Sequence, residues 1–144
     1  MTHFASERLS LATQAYAIAQ RCLELTVDWT RNRHTFGRPL AQRQAIRHRL
    51  AGMATETEVA RAYVRLVTER CANGEPLVSE VAMAKNTAVA ACAHVVDHAV
   101  QLHGGFGYLR EAEVERHYRD ARILGIGGGT TEIMNEIIAK QLEL

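Results

Sequence analysis

Proline is almost missing from this 144-residue chain, and its two copies, Pro39 and Pro76, fall where the hydrophobic pattern breaks. Long helices are therefore free of the residue that removes a backbone donor and clashes with the preceding turn. No apolar run approaches the ~20 residues needed to cross a bilayer, so no membrane insertion is expected. Neither sign of charge prevails. Charged residues make up 23% and the formal net charge is +1, which leaves no footprint for nucleic acid, an anionic membrane or an acidic tail. Cysteine occurs three times, as Cys22, Cys71 and Cys92, an odd number without a Cys-x-x-Cys pair. Each lies in an apolar helical pattern, which points to buried, reduced thiols rather than a disulfide framework. The segment Met1 to Arg8 has neither a basic leader nor an apolar signal core, so export is not expected and a cytoplasmic domain is.

What is present is a hydrophobic content of 47% in a chain the size of one ordinary domain, enough to build a core. The first helix is predicted from about Ser6 to Arg33. Ala12, Ala15, Ala19, Cys22, Thr26 and Trp29 form a small face, and Leu11, Ile18 and Leu25 a second apolar row. A helix apolar on two sides is sandwiched, inside the bundle or between subunits. A second helix, about Arg43 to Ala72, carries Ile46, Leu50, Met53, Thr57, Ala60, Val64, Val67 and Cys71 in alternating steps of four and three, the seam of near-antiparallel packing. Asn73-Gly74 supplies its stop. The third repeats that spacing in Val81, Ala84, Ala88, Ala91, Val95, His98 and Leu102, and its alanines imply close helix approach. It ends at Gly104-Gly105-Phe106-Gly107. A fourth, about Glu111 to Leu124, has Val114, Tyr118 and Ala121 inside. The last follows Gly125 to Gly129 and runs to about Leu142, using Ile133, Ile137 and Ile138. No segment alternates with the period of a strand. The expected fold is all-α, an up-and-down four-helix bundle with an additional C-terminal helix.

Three segments between or at the ends of these helices carry chemistry. In Arg33-His34-Thr35-Phe36-Gly37-Arg38-Pro39-Leu40, a guanidinium, a hydroxyl and an aromatic face share one corner, which suits a phosphate-bearing ligand with a flat ring. The same corner is also readable as a helix C-terminus with a cation on its dipole and Phe36 plugging the core. In Gln101-Leu102-His103-Gly104-Gly105-Phe106-Gly107-Tyr108, glycines allow close ligand approach and the Gln101 amide can donate and accept, or the segment is a C-cap and turn. In Tyr118-Arg119-Asp120-Ala121-Arg122-Ile123-Leu124 with Gly125-Ile126-Gly127-Gly128-Gly129-Thr130-Thr131-Glu132-Ile133, Gly129-Thr130 opens the last helix. Free N–H groups there can face an anion or a polar ligand edge, and Thr130 is equally an N-cap.

In this order and spacing the three segments resemble the C-terminal domain of the acyl-CoA dehydrogenase family, from about Ser6 to the end of the chain. The resemblance implies that Arg33, Thr35 and Phe36 touch the FAD of a neighbouring subunit, that Gln44 lies near its adenine end, and that Gln101, Gly104 and Gly105 contact the adenine dinucleotide. Thr130 and Glu132 are further expected cofactor contacts. The sequence departs from the medium-chain branch at Gly128, where that branch has its catalytic glutamate. In the isovaleryl- and long-chain-like branches the base instead precedes an arginine at the start of the first helix. Glu7, followed by Arg8, fills that place here. Glu7 is thus the expected base, Gly128 leaves room for its carboxylate, Arg8 helps to position the CoA portion, and Gly129 completes the substrate contacts. Read without the resemblance, Glu7 is an ordinary first-turn acid on a helix dipole. Glu132 is the reserve base.

The resemblance further implies α,β-dehydrogenation of an acyl-CoA thioester: a carboxylate takes the α-proton while the β-hydrogen leaves as hydride to the flavin. Family members place a helical domain and a β-domain before this one, so the chain is expected to be a fragment or truncated reading frame of a longer enzyme, without useful dehydrogenase activity alone. Dimers or tetramers form through this domain in the family, and an electron-transfer flavoprotein or a similar acceptor would serve the whole enzyme.

Two other classes of protein share some of these features. His94 and His98 share a helix face near Asp97, but no histidine has an acid three residues before it, and Val95 after His94 breaks the His-Glu-x-x-His pattern. No metal site is expected, and His98 is read as a hydrogen-bonded histidine on the apolar seam. A helical assembly domain without flavin is the remaining alternative. Flavin binding separates it from the first reading.

Overall fold

The computed structural model describes residues 3–144. Helix α1 (His3–Asn32) leads into a two-residue antiparallel pair, β1 (His34–Thr35) and β2 (Arg38–Pro39), and a 3-10 turn. There follow α2 (Gln44–Ala72), α3 (Val78–His103), a second 3-10 turn, α4 (Glu113–Ala121), a third 3-10 turn and α5 (Thr131–Gln141). The all-α architecture expected from the sequence is present. The small hairpin is the exception, because four residues are too few to show a strand's alternation.

The core lies along α1 and α3, which make the most extensive contact of any pair of elements. Ala12, Ala15, Ala19 and Cys22 on α1, with Ala84, Ala88, Cys92 and Val95 on α3, are buried. Such small side chains let the two backbones approach closely, so each helix presents little volume and much contact. The pair is parallel. Arg8 and Lys85, near the starts of α1 and α3, both reach the glycine loop before α5, while Trp29 and His103, near their ends, stack on one another. Helix α2 returns between them, and its expected stripe is buried from Met53 through Thr57, Ala60, Val64 and Val67 to Cys71, while Ile46 and Leu50 at its start are only partly buried.

Helix α2 stops for a defined reason. The Gly74 N–H bonds to the Cys71 carbonyl and the Glu75 N–H to the Arg70 carbonyl, with Gly74 at φ 90°, so the last carbonyls are satisfied by a left-handed cap. Helix α4 is shorter than expected. The chain tightens into 3-10 geometry at Arg122–Gly125, which turns Leu124 into the core. A forked ion pair ties α4 to α1: Arg21 donates from Nε and from its terminal nitrogen to the two oxygens of Glu113, at 2.8 and 3.0 Å. His117 adds a third contact, and together they hold the Glu113 carboxyl down at about 2, the Arg21 hydrogen bond contributing most.

Four interior assignments differ. Thr30 rather than Trp29 completes the buried face of α1, because Trp29 turns aside to stack on His103 and Phe106. Tyr118 is about half exposed at the rim of α4. On α5, Met134 is buried and Ile133 is not, since the flexible thioether fills the space beside Gly129. His98 is only partly buried; its Nδ1 lies 3.0 Å from the His94 carbonyl, and its ring meets the His94 ring edge-on. The three cysteines are free and buried, with the Cys22 and Cys92 thiols pushed up to about 12 chiefly by burial. They are inert packing groups.

His103 gives this core a pH dependence. Burial pushes its pKa below the ordinary 6.5, against the opposing effect of the Ala99 carbonyl. As pH falls through 6.5 the unfolded chain binds the proton first, so stability is full above that value and is lost towards the folded pKa. The urea midpoint is expected to be lower at pH 5.5 than at pH 7.5, and the difference to shrink in His103→Gln. An equal difference in that variant would assign the effect to other groups.

Candidate functional site

The expected site residues separate into two groups at opposite ends of α1, roughly 40 Å apart at 1.5 Å of helix per residue. At one end stand Glu7, Arg8, Gly128, Gly129, Thr130 and Glu132. At the other stand Arg33, Thr35, Phe36, Gln44, Gln101, Gly104 and Gly105.

The first end is organised around the glycine loop. Gly128 and Gly129 have φ of 64° and 101°, a region that side chains other than glycine enter at a cost. A Cβ on Gly128 would lie 2.8 Å from the Leu11 Cδ1 and 3.7 Å from the Glu7 carboxyl carbon. The absent side chain lets Leu11 and the Glu7 carboxyl stand close against the loop, and Glu7 itself is exposed on the first turns of α1. Arg8 donates from Nε to the Gly128 carbonyl at 3.1 Å, and another of its guanidinium nitrogens would stand 3.8 Å from a Cβ on Gly129. Thr130 caps α5: its hydroxyl accepts from the Ile133 N–H at 3.4 Å. The Glu132 carboxylate turns back on its own N–H and the Thr130 hydroxyl, which hold its pKa below the usual value. Both residues thus have capping duties that explain them locally.

Lys85, which the sequence reading passed over, belongs to this end. It is 1% exposed, and its ammonium donates to the Gly127 carbonyl at 2.6 Å and to the Gly129 carbonyl. Burial, then the nearby Arg8, push its pKa down, while Glu7 opposes them. The signal was available in the sequence. Lys85 stands four residues after Val81 and three before Ala88, on the face that should have been apolar, and a charge there requires buried partners.

The second end is built on the hairpin. Phe36 and Gly37 both have positive φ, 49° and 78°, which is the two-residue turn whose twist matches a hairpin. Phenylalanine is a poor residue for that conformation, and here its ring is 96% exposed. The expectation that Phe36 could plug the core is corrected: the turn throws it outward. Arg43, also unforeseen, holds the corner by donating to the Thr35 carbonyl at 2.7 Å and its hydroxyl at 3.2 Å, with its guanidinium 5.5 Å from the Phe36 ring centroid. Arg33 is exposed, 5.9 Å from the Trp29 ring centroid. Gln44 opens α2 and is exposed.

Gln101 is exposed on the last turn of α3. Gly104 caps that helix with φ 61°. Gly105 has ordinary φ, and a Cβ there would meet nothing within 4 Å. Internal packing therefore does not require glycine at 105, in contrast to Gly107, where a Cβ would lie 2.6 Å from the Val100 carbonyl oxygen. Trp29 joins this end to the core, its ring 4.9 Å from His103 and 5.0 Å from Phe106 between centroids. Among the described residues, no group of three His, Cys, Asp or Glu side chains is arranged to hold a metal ion.

A helical bundle of this kind, with polar clusters at its two ends, has well-matched relatives among known proteins. The profile described as "Acyl-CoA dehydrogenase, C-terminal domain" matches residues 1–143. The human mitochondrial short-chain specific acyl-CoA dehydrogenase is 44% identical over 139 residues, 94% of this chain and 33% of that protein. The crystal structure of a probable acyl-CoA dehydrogenase from Mycobacterium abscessus superposes with a TM-score of 0.96 at 62% identity, covering 96% of this chain and 37% of that one. An FAD complex of PigA superposes with a TM-score of 0.91 at 26% identity, covering 96% and 36%. The chain belongs to the acyl-CoA dehydrogenase family, as its C-terminal domain. It spans about a third of the length of these relatives.

The exposed, strained Phe36 yields a stability test. Phe36→Asn is expected to raise the unfolding free energy by about 0.5–1 kcal/mol, since asparagine tolerates the left-handed conformation and only an exposed cation–π contact is lost. Urea denaturation measures it. A loss of more than about 1 kcal/mol would mean that the ring supports the fold itself.

Proposed function

We propose that this chain is the part of an FAD-dependent acyl-CoA dehydrogenase that supplies the catalytic carboxylate at one end and a cofactor cradle for a neighbouring subunit at the other. The observation that carries the reading is the pairing of Glu7 with Gly128, because a glycine there lets the Glu7 carboxyl stand against the loop with no side chain of residue 128 between them. The second end fits an adenine dinucleotide. Gly105 is not required by packing, Gln101 offers an exposed amide, and Phe36 projects from a strained turn among arginines. Strain retained at an exposed aromatic is a feature of sites rather than of scaffolds.

Bound FAD would supply the acceptor for the hydride that leaves the β-carbon of an acyl-CoA thioester. This chain's residues do the rest. Glu7 accepts the α-proton, Arg8 presents a cation beside it for the CoA portion, and Gly128 and Gly129 keep the approach open. Arg33 and Arg43 offer charge for a pyrophosphate, with Thr35 and Gln101 as polar contacts and Gln44 towards the adenine. The two ends are too far apart to serve one reacting centre within one copy, which supports self-association as a dimer or tetramer. The preceding helical and β-domains would close the substrate pocket, an electron-transfer flavoprotein or similar acceptor would reoxidise the flavin, and the inert thiols suit a reducing compartment such as the cytoplasm.

The second reading is a helical assembly domain without flavin. It draws on the outer face of α2, where Val59 and Leu66 are more than half exposed. Sedimentation velocity with added FAD, followed at protein and flavin wavelengths, separates the two. Flavin is expected to travel with an oligomer. An oligomer without flavin favours the assembly reading for the chain alone. In the complete enzyme, Glu7→Gln is expected to lower turnover by at least a thousandfold while flavin stays bound, and undiminished turnover would remove Glu7 from the mechanism.

A further inference from the structure

Lys85 is the only Lys, Arg, Asp or Glu buried among the described residues. Burying an ammonium carries a large desolvation penalty, and a methionine of similar length would fill the same space without it. The charge therefore has a task beyond packing. Among the described residues its hydrogen-bond acceptors are the carbonyls of Gly127 and Gly129, which flank Gly128. The Gly128 carbonyl is taken by Arg8. Three consecutive main-chain oxygens are thus held by two cations, one from α3 and one from α1. The loop between α4 and α5 cannot slide along either helix without releasing a buried charge.

We propose that Lys85 is a positioning residue for Glu7: its buried ammonium fixes the Gly127–Gly129 loop and, through Gly128, the space in which the Glu7 carboxylate stands. The catalytic meaning rests on Glu7 being the base; the coupling between Lys85, the loop and Glu7 does not. The groups around Lys85 assign the partner. From α1, Arg8 disfavours the ammonium and Glu7 favours it. Glu132, at the start of α5, is exposed and is not among the charges that act on Lys85. On α3, Asn86 donates to the Thr131 carbonyl and the Asn135 side chain and so is occupied by α5. Glu7, whose carboxyl carbon would lie 3.7 Å from a Cβ on the Gly128 that Lys85 and Arg8 bracket, is thus the anion nearest this loop that supports the buried charge. Coupling of this kind is reciprocal: if Lys85 acts on Glu7 through the loop, then Glu7 acts on Lys85.

The test uses this chain and nuclear magnetic resonance. The Lys85 side-chain nitrogen is titrated in the parent chain and in Glu7→Gln, an exposed position whose change leaves the core alone. The midpoint is expected to fall by about half a pH unit when the carboxylate is removed, the size of a screened interaction over several ångströms. An unchanged midpoint overturns the proposal. In Lys85→Met, the nuclear Overhauser contact between Glu7 and Gly128 should vanish and the amides from Gly127 to Thr130 should shift. Val67→Ala, a core variant at another place in the bundle, should leave both as they were. A folded Lys85→Met with the contact and amides unmoved also overturns it; if that variant does not fold, the Glu7→Gln titration decides alone. Coupling with undiminished turnover of Glu7→Gln in the complete enzyme removes the base but not the coupling. Abolished turnover without coupling removes only the role of Lys85.

Discussion

The close, parallel packing of α1 on α3 is the constraint from which the rest of the molecule follows. Alanine, cysteine and threonine on the facing sides bring the backbones together, and a larger residue at Ala15 or Ala88 would have no space to enter. Because the pair is parallel, the starts of both helices meet at one end and their finishes at the other. Arg8 and Lys85 then converge on one glycine loop, and Trp29 and His103 stack where the hairpin leaves. Helix α2 must run back between them, and the length of α1 sets the distance separating the two clusters. A single copy therefore holds the two clusters far apart. That is the physical basis for proposing that function requires self-association and the domains that precede this one in its relatives.

The two ends are held by different means. At the glycine loop the backbone is pinned by charge: buried or half-buried cations take carbonyls that water would otherwise solvate, and the cost of burying Lys85 makes displacement of the loop unfavourable. At the hairpin the backbone is pinned by local turn geometry and by Arg43, while an aromatic side chain stays exposed in an uncommon conformation. The first arrangement suits a place where position must be kept, as the proposed base requires. The second suits a contact completed by another molecule, since the exposed ring has nothing to rest on within its own chain except the Arg43 guanidinium.

Much of this was legible in the residues. The four-and-three spacing of Met53, Thr57, Ala60, Val64, Val67 and Cys71 gave the buried face of α2 correctly, because a helix that long can hide its apolar residues on one side only. Asn73-Gly74 marked its end through the backbone freedom of glycine. Periodicity failed where a side chain is large enough to choose its neighbours: Trp29 left the small face of α1 for a stack, Tyr118 stayed at a rim, and Met134 displaced Ile133 inside α5. Of the site, the glycine run could be read from the residues and the Glu7-Arg8 pair was named only through the resemblance to the family, whereas Lys85 and Arg43 could not be connected to them. Their partners are main-chain carbonyls remote in sequence for Lys85 and folded back across a turn for Arg43, and carbonyls have no signature in a sequence.

By itself, then, the sequence determined the helices, their apolar faces and the residue types available at each end, since these depend on local propensity and a fixed period. Tertiary structure alone decided that α1 packs most extensively on α3, and that the Lys85 ammonium is satisfied by the carbonyls of Gly127 and Gly129. Those facts depend on which surfaces meet, and contact between residues far apart in the chain is settled only when packing, desolvation and backbone hydrogen bonding are satisfied together.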